Sequence, residues 1–118
     1  MKKVIILLFL LLFLCSCGTS KAVVTKVDCV KSVELVNDGA ILIDVRSSAE
    51  YNLYHLNEAI NIDYEQIENK ITEAVPDKNQ KIIVYCQSGS RSNTAANTLI
   101  NLGYTNVYDL GAISNCSE

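Results

Sequence analysis

The sequence of 118 residues is long enough for one domain and too short for two. Its formal net charge is −3 and it contains no basic stretch after the first three residues, so nucleic acid is not expected as a partner. It contains no internal repeat and no low-complexity segment, which excludes repeat architectures.

The amino-terminal segment has the pattern of an exported precursor. Lys2 and Lys3 give it a positive start, and residues 4–14 form an unbroken apolar run. A run of this length is too short to span a bilayer comfortably, so it predicts a signal peptide. A secretory signal with an ordinary cleavage site and an uncleaved anchor are the two alternatives to the lipoprotein signal described next.

Residues 14–17 read Leu-Cys-Ser-Cys, which resembles a bacterial lipobox. The resemblance implies a cleaved lipoprotein signal peptide over residues 1–16, a lipidated tether over 17–22 and a domain over 23–118. Cys17 would carry the lipid and anchor the protein to a membrane, on the periplasmic or outer cell-surface side, because two or three acyl chains bind firmly. Loss of Lys2 and Lys3 would move the formal charge from −3 to about −5.

Strands and helices alternate along the rest of the chain. Short apolar runs predict strands at residues 23–24, 40–45, 59–62, 82–85 and 106–110. Capping signals and periodic apolar positions predict helices at residues 25–37, 47–54, 63–75 and 92–102. The inward face of the first helix is predicted to consist of Cys29, Val30, Val33 and Val36. This order predicts an α/β fold with a parallel central sheet of about five short strands, flanked by helices on both faces.

Cys86 lies between the predicted strand at residues 82–85 and the predicted helix at 92–102. A loop of small residues begins directly after Cys86. The first amides of a helix have no partner within the helix, and the helix dipole adds positive charge there. Small loop residues let successive N–H groups turn towards one point and form an anion-binding concavity. A thiolate at that point is stabilised, so the pKa of Cys86 is expected below its free value of about 8.5.

Arg91 adds a permanent charge and a planar fork that suits a tetrahedral oxyanion. Its spacing from Cys86 is C-x4-R, one residue shorter than the C-x5-R loop with which tyrosine phosphatases wrap a phosphate. A shorter loop makes a tighter cradle. The alternative interpretation is a buried structural cysteine that ends a strand, beside a solvated arginine.

The motif Cys-Gln-Ser-Gly-Ser-Arg resembles the active-site loop of rhodanese-family sulfurtransferases, whose C-x-x-G-x-R form is associated with thiosulfate. Three further stretches are similar to this family: residues 43–51, 55–62 and 102–110. The resemblance implies a rhodanese-like fold and an enzyme, a thiosulfate sulfurtransferase. Cys86 would take sulfane sulfur from a small anionic donor, become a persulfide and pass the sulfur to a thiophilic acceptor. No metal or organic cofactor is expected, because the donor sulfur bonds covalently to the enzyme.

The resemblance also implies roles for the residues around Cys86. Arg91 would bind the sulfonate end of the donor. The outer sulfur of the persulfide would be held by backbone amides of the loop, those of Gln87, Ser88, Gly89, Ser90 and Arg91. Asp44 would orient the loop or Arg91, or make a purely structural hydrogen bond. Arg46 and Glu50 would form an ion pair, and His55 would be structural and not a general base.

Some positions depart from the family pattern or leave alternatives open. Glu58 stands where the family usually has Gly, so its turn must avoid a left-handed backbone or bear strain. Cys116 stands where a Trp commonly closes the domain. Cys29 and Cys116 could pair in an oxidising compartment, Cys116 could resolve an oxidised Cys86, or Cys29 could be a plain buried residue, which its apolar helix face favours.

Two other function classes fit parts of the sequence. One is a non-catalytic rhodanese-like module that carries sulfur or binds a protein at the cell surface. The other, a phosphatase or an oxyanion reductase, is disfavoured by the short loop. The sequence predicts neither the physiological donor and acceptor nor the oligomeric state.

Overall fold

The computed structural model describes residues 22–116. These residues form five strands: β1 (Thr25–Lys26), β2 (Ile41–Asp44), β3 (Ile60–Asn61), β4 (Ile82–Cys86) and β5 (Val107–Ala112). They also form four α-helices: α1 (Cys29–Asn37), α2 (Ser48–Leu53), α3 (Ile67–Ala74) and α4 (Ser90–Asn101). A short 3-10 helix (Ile113–Cys116) follows. The predicted signal peptide, the predicted lipidation site at Cys17 and nearly all of the predicted tether lie outside the described residues.

All five strands are parallel, in the order β1-β5-β4-β2-β3. The predicted α/β fold with a five-stranded parallel sheet and surrounding helices is therefore confirmed. Every residue of β4 is buried, because strands lie on both sides of it and apolar side chains cover both of its faces. Ile82, Val84 and Cys86 face one core, and Ile83 and Tyr85 face the other.

The carboxyl ends of β2 and β4 are neighbours at one edge of the sheet. Asp44, the last residue of β2, is in register with Tyr85, the residue before Cys86. Open α/β sheets place ligand sites at this edge. The fold thus brings the end of β2, at Asp44, beside the end of β4, at Cys86, although the two strands are far apart in the sequence.

The first strand and helix differ from their predicted positions. Residues 23–24 are not a strand; β1 lies at Thr25–Lys26, where it pairs with Tyr108 and Asp109 of β5. The chain continues along β5 through Val27, whose amide donates to the Asp109 carbonyl, so Thr25 does not cap a helix. Asp28 is the N-cap instead, and its side chain accepts a hydrogen bond from the Lys31 amide.

The predicted inward face of α1 is partly wrong. Val30 and Val33 are 70% and 52% exposed, whereas Ser32 and Leu35 are buried. Leu35 contributes the main apolar contact to the core on this side of the sheet. Ser32 tolerates burial because its hydroxyl donates to the Cys29 carbonyl. The rotation of α1 about its axis follows the sheet that it covers, and valine spacing alone does not determine it.

A disulfide joins Cys29, at the start of α1, to Cys116 at the end of the 3-10 helix. The interpretation of Cys29 as a plain buried residue is therefore wrong, and of the open alternatives the Cys29–Cys116 pair is the one observed. Cys86 is a free thiol. The bond links positions 87 residues apart and so ties the end of the described chain to its first helix.

Two smaller features complete the fold. Glu58 has a φ of +70°, so this turn does adopt the left-handed conformation and bears the strain that a glycine would avoid. Within residues 22–116, none of the helices has the length and apolar character needed to cross a membrane.

Candidate active site

Strand β4 carries Cys86 to the edge of the sheet, and residues 87–89 turn the chain into α4. The turn depends on Gly89, which caps α4 with a φ of +107°. A side chain rarely adopts this conformation, so glycine is needed for its backbone; a Cβ would have its nearest neighbour, the Gly111 Cα, at an ordinary 3.9 Å. The residue Cys86 itself is 0% exposed and lies under this loop.

The loop aims backbone amides at the thiol. The Gly89 amide donates to Cys86 Sγ at 3.0 Å, and the Ser92 amide donates to the same sulfur at 3.2 Å. The Ser92 hydroxyl donates to the Gly89 carbonyl and holds the loop closed. Sγ therefore lies at the amino end of α4, where unpaired amides and the helix dipole both favour a negative charge.

These contacts lower the pKa of Cys86. Burial alone would raise it, but hydrogen bonds from Ser92, Gly89 and Ser88 outweigh burial, so the pKa of the thiol lies below its usual value. The sulfur is thus prepared to act as a thiolate, the nucleophilic form of cysteine.

Arg91 is paired with Glu50. Arg91 Nη1 lies 2.8 Å from Glu50 Oε2 and Nη2 lies 3.1 Å from Oε1, so the planar fork is engaged in a bidentate ion pair. The hydrogen bond from Arg91, with further ones from Ser47, lowers the pKa of Glu50 to about 2 although burial opposes this. Glu50 therefore occupies the guanidinium fork of Arg91. The predicted role of Arg91 as a ligand for the donor's sulfonate stays a prediction.

Arg46 pairs with Asp44, so the predicted Arg46–Glu50 ion pair is wrong. Arg46 Nε lies 3.0 Å from Asp44 Oδ1 and Nη2 lies 2.7 Å from Oδ2, and both residues are buried. The hydrogen bond with Asp44 raises the pKa of Arg46. Glu50 is instead drawn to Arg91 because the first turn of α2 points it towards the loop.

The Asp44–Arg46 pair also reaches the active-site loop. Arg46 Nη1 donates to Gln87 Oε1 at 3.2 Å, and Nη2 donates to the Tyr54 carbonyl at 2.7 Å. Of the roles predicted for Asp44, the geometry favours orientation of the loop through Arg46. It gives no contact from Asp44 to Arg91.

The other predicted site residues surround the sulfur less closely. The residues Gln87, Ser88 and Ser90 are exposed at the rim of the loop. His55 stacks on Tyr51 with ring centroids 3.7 Å apart, and its Nδ1 hydrogen-bonds the Tyr51 carbonyl. These local contacts of His55 fit the structural role predicted for it.

A cleft of about 370 Å³ lies elsewhere, between α1, the segment 54–58 and the disulfide. No residue of the loop 86–92 lines it. Among the described residues, no three His, Cys, Asp or Glu side chains are grouped so that they could hold a metal ion.

Two contributors to the site are missed by the sequence pattern. Ser92 donates both an amide and a loop-closing hydroxyl, yet it lies one position beyond the six-residue motif. Glu50 is visible as a capping residue, but its partner Arg91 is 41 residues away. Only the proximity of α2 to the loop pairs the two, and nothing in the local sequence indicates that proximity.

The family model for the Rhodanese-like domain matches residues 31–115, which include every residue of this site. The chain belongs to the rhodanese-like family. This rhodanese-like domain is 40% identical over 73 residues to the thiosulfate sulfurtransferase PspE of Escherichia coli K12, covering 62% of the chain and 70% of that relative. It is 33% identical over 76 residues to the thiosulfate sulfurtransferase GlpE of Pseudomonas syringae, covering 64% and 70%.

A solved structure described as a rhodanese with anions from E. coli has the same fold as this rhodanese-like domain. The two share 37% identity with a TM-score of 0.64, over 67% of this chain and 93% of that one. Together with the two curated relatives, this similarity supports sulfurtransferase activity.

Proposed function

We propose that the protein is a thiosulfate sulfurtransferase that carries sulfane sulfur as a persulfide on Cys86. The observation that carries the proposal is the pair of amide hydrogen bonds to Sγ at the start of α4, which favours the thiolate. The thiosulfate sulfurtransferases to which the chain is similar support the same reaction type.

The reaction is a double displacement. The Cys86 thiolate attacks the sulfane sulfur of thiosulfate, the S–S bond of the donor breaks, and its electron pair leaves with sulfite. A new bond joins Sγ to the transferred sulfur, whose negative charge the loop amides are expected to hold. A nucleophilic acceptor such as cyanide then attacks the outer sulfur, forms thiocyanate and returns Cys86 to the thiolate.

The test is the mass of the full chain in detergent, before and after incubation with thiosulfate. An increase of about 32 Da, one sulfur atom on Cys86, is expected, and Cys86→Ser should show no increase. Cyanide should remove the added mass. A folded protein that stays unmodified under saturating thiosulfate would contradict the proposal.

We also propose that the protein works outside the cytoplasm, anchored by a lipid on Cys17. The Cys29–Cys116 disulfide supports an oxidising compartment, because disulfides persist in oxidising compartments and are rare in reducing compartments. The same mass measurement on protein purified from its native membrane tests the anchor. A chain that retains residues 1–16, or one without acyl mass, would contradict it.

A non-catalytic module is the second candidate. The full burial of Cys86 and the engaged fork of Arg91 favour it, because both features restrict access of a donor to the sulfur. Turnover with thiosulfate and cyanide separates the candidates: catalysis that depends on Cys86 supports the enzyme, and a persulfide without turnover supports a carrier.

A further inference from the structure

The charges around Cys86 are arranged so that the positive groups are already neutralised. Arg91 gives its two terminal nitrogens to Glu50, and Arg46 gives Nε and Nη2 to Asp44. Each guanidinium is thus matched by one carboxylate. The thiolate of Cys86 then leaves the group of five charged side chains with a net negative charge before any donor arrives.

Glu50 is held firmly in this arrangement. Its Oε2 accepts hydrogen bonds from the Ser47 amide and the Ser47 hydroxyl, both at 3.0 Å, as well as the bond from Arg91. The contacts with Ser47 are the capping box that begins α2. A donor that binds Arg91 must therefore break a bidentate, charge-assisted pair. Glu50 cannot move together with Arg91, because that would disrupt the capping box at the start of α2.

The position of this pair makes its charge matter for the donor. Hydrogen bonding to Glu50 raises the pKa of Arg91, and the negative charges of Glu50 and Cys86 contribute less. Arg91 therefore interacts electrostatically with the Cys86 sulfur as well as with the Glu50 carboxylate. The Arg91 and Glu50 side chains are 29% and 34% exposed, so water partly screens the Glu50 charge, and Glu50 acts on a donor chiefly by occupying both terminal nitrogens of Arg91. A second negative charge on a donor therefore finds no free guanidinium at Arg91 while Glu50 holds it, and is disfavoured more than a single charge is.

We propose that Glu50 determines the charge class of the donor. Singly charged sulfane-sulfur donors, the organic thiosulfonates and persulfides, load Cys86 in preference to the thiosulfate dianion. This inference rests on the proposed sulfurtransferase function. For a thiosulfonate, the Cys86 thiolate takes the terminal sulfur, the S–S bond breaks, and its electron pair leaves with the organic sulfinate.

The experiment compares two donors that share the reacting S–S bond and differ in charge, thiosulfate and benzenethiosulfonate, with cyanide as the acceptor. For the full wild-type chain in detergent, kcat/KM is expected to be higher with benzenethiosulfonate. In Glu50→Gln, kcat/KM for thiosulfate should increase relative to that for benzenethiosulfonate by about tenfold, mainly through KM, because one negative charge has been removed.

The matched control is Glu73→Gln, which removes the same charge from an exposed position of α3. Its ratio of the two kcat/KM values should equal that of the wild type. Both donors are measured on the same preparation, so a partly unfolded variant changes both rates and leaves the ratio unaffected. A wild-type measurement serves if Glu50→Gln does not fold: added salt should raise the thiosulfate rate relative to the benzenethiosulfonate rate.

The outcomes separate this inference from the function on which it rests. If neither donor places sulfur on wild-type Cys86, the proposed function and this inference both fail. If both donors load Cys86 but the wild type prefers thiosulfate, or the ratio in Glu50→Gln equals that of the wild type, only the inference is overturned.

Discussion

At the scale of single residues, the lowered pKa of Cys86 comes from hydrogen bonds of its loop and not from a neighbouring base. The amides of Gly89 and Ser92 point at its sulfur, while His55 is occupied with Tyr51. The sequence predicts the amide cradle from the strand, loop and helix around Cys86. It does not predict the part of Ser92, because that depends on how tightly the loop closes.

Ser92→Ala should slow the alkylation of Cys86 by iodoacetamide at pH 7 about three- to tenfold, the effect of one lost hydrogen bond. Besides closing the loop on the Gly89 carbonyl, the Ser92 side chain lowers the pKa of Cys86, so its loss raises that pKa and moves the midpoint of the rate against pH upward. Thr94→Ala is the control, because the Thr94 hydroxyl bonds the Ser90 carbonyl in the same helix. Equal rates in the two variants would contradict this role of Ser92.

The lowered pKa of Cys86 also links stability to pH. Its pKa is lower in the folded than in the unfolded chain, so the thiolate stabilises the fold fully above the unfolded pKa. This contribution is lost as the pH falls through the folded pKa. Cys86→Ser should remove this part of the pH dependence of the free energy of unfolding, which urea titrations at several pH values measure.

The buried Asp44–Arg46 pair should be costly to break. Arg46→Met leaves Asp44 charged and buried without its partner, so the free energy of unfolding should fall by about 3–5 kcal/mol. Arg91→Met removes the same charge from a pair whose side chains are 29% and 34% exposed, and should cost only about 0–1 kcal/mol. Urea unfolding measures both changes. Equal losses would show that burial of the pair is unimportant.

At the scale of elements, the first turn of α2 both starts a helix and positions the site. Ser47 caps α2 and holds Glu50, and Glu50 holds Arg91. The capping box is predicted by the sequence because Ser47 and Glu50 are three residues apart. The third residue in this series of contacts, Arg91, belongs to α4, and the sheet sets the position of α4.

Ser47→Ala and Asp28→Ala each remove the N-cap of one helix and should each lower the free energy of unfolding by about 1 kcal/mol. Only Ser47→Ala loosens Glu50, so only this variant should change KM for thiosulfate. Urea unfolding and steady-state kinetics measure the two effects. A similar change of KM in Asp28→Ala would indicate a general effect of lost stability.

At the scale of the whole molecule, the Cys29–Cys116 disulfide ties the end of the described chain to α1. It closes a long segment that contains β2 to β5, so it limits the freedom of the unfolded chain. The bond lies beside the cleft at α1, which no residue of the loop 86–92 lines. Its effect is therefore expected on stability more than on sulfur transfer.

Cys29→Ala with Cys116→Ala should lower the free energy of unfolding by about 2–5 kcal/mol. Thermal unfolding measures this, and reductant should lower the Tm of the wild type but not that of the double variant. Cys86→Ser keeps the disulfide and should respond to reductant as the wild type does. A wild-type Tm that is unchanged by reductant would contradict a stabilising bond.

Local patterns in the sequence were sufficient for the alternation of strands and helices, the parallel α/β class, the capping box at Ser47 and the position of Cys86 between a strand and a helix. These features depend on residues within one or two turns of each other, so periodicity and capping preferences predict them. The tertiary structure alone decided the rotation of α1, the Glu50–Arg91 and Asp44–Arg46 pairs and the Cys29–Cys116 bond. The Glu50–Arg91 pair and the disulfide join residues that are distant in the chain, and α1 turns to fit the sheet that it covers. Asp44 and Arg46 are close in the sequence, but the choice of Asp44 over Glu50 as the partner of Arg46 depends on how the edge of the sheet meets the loop.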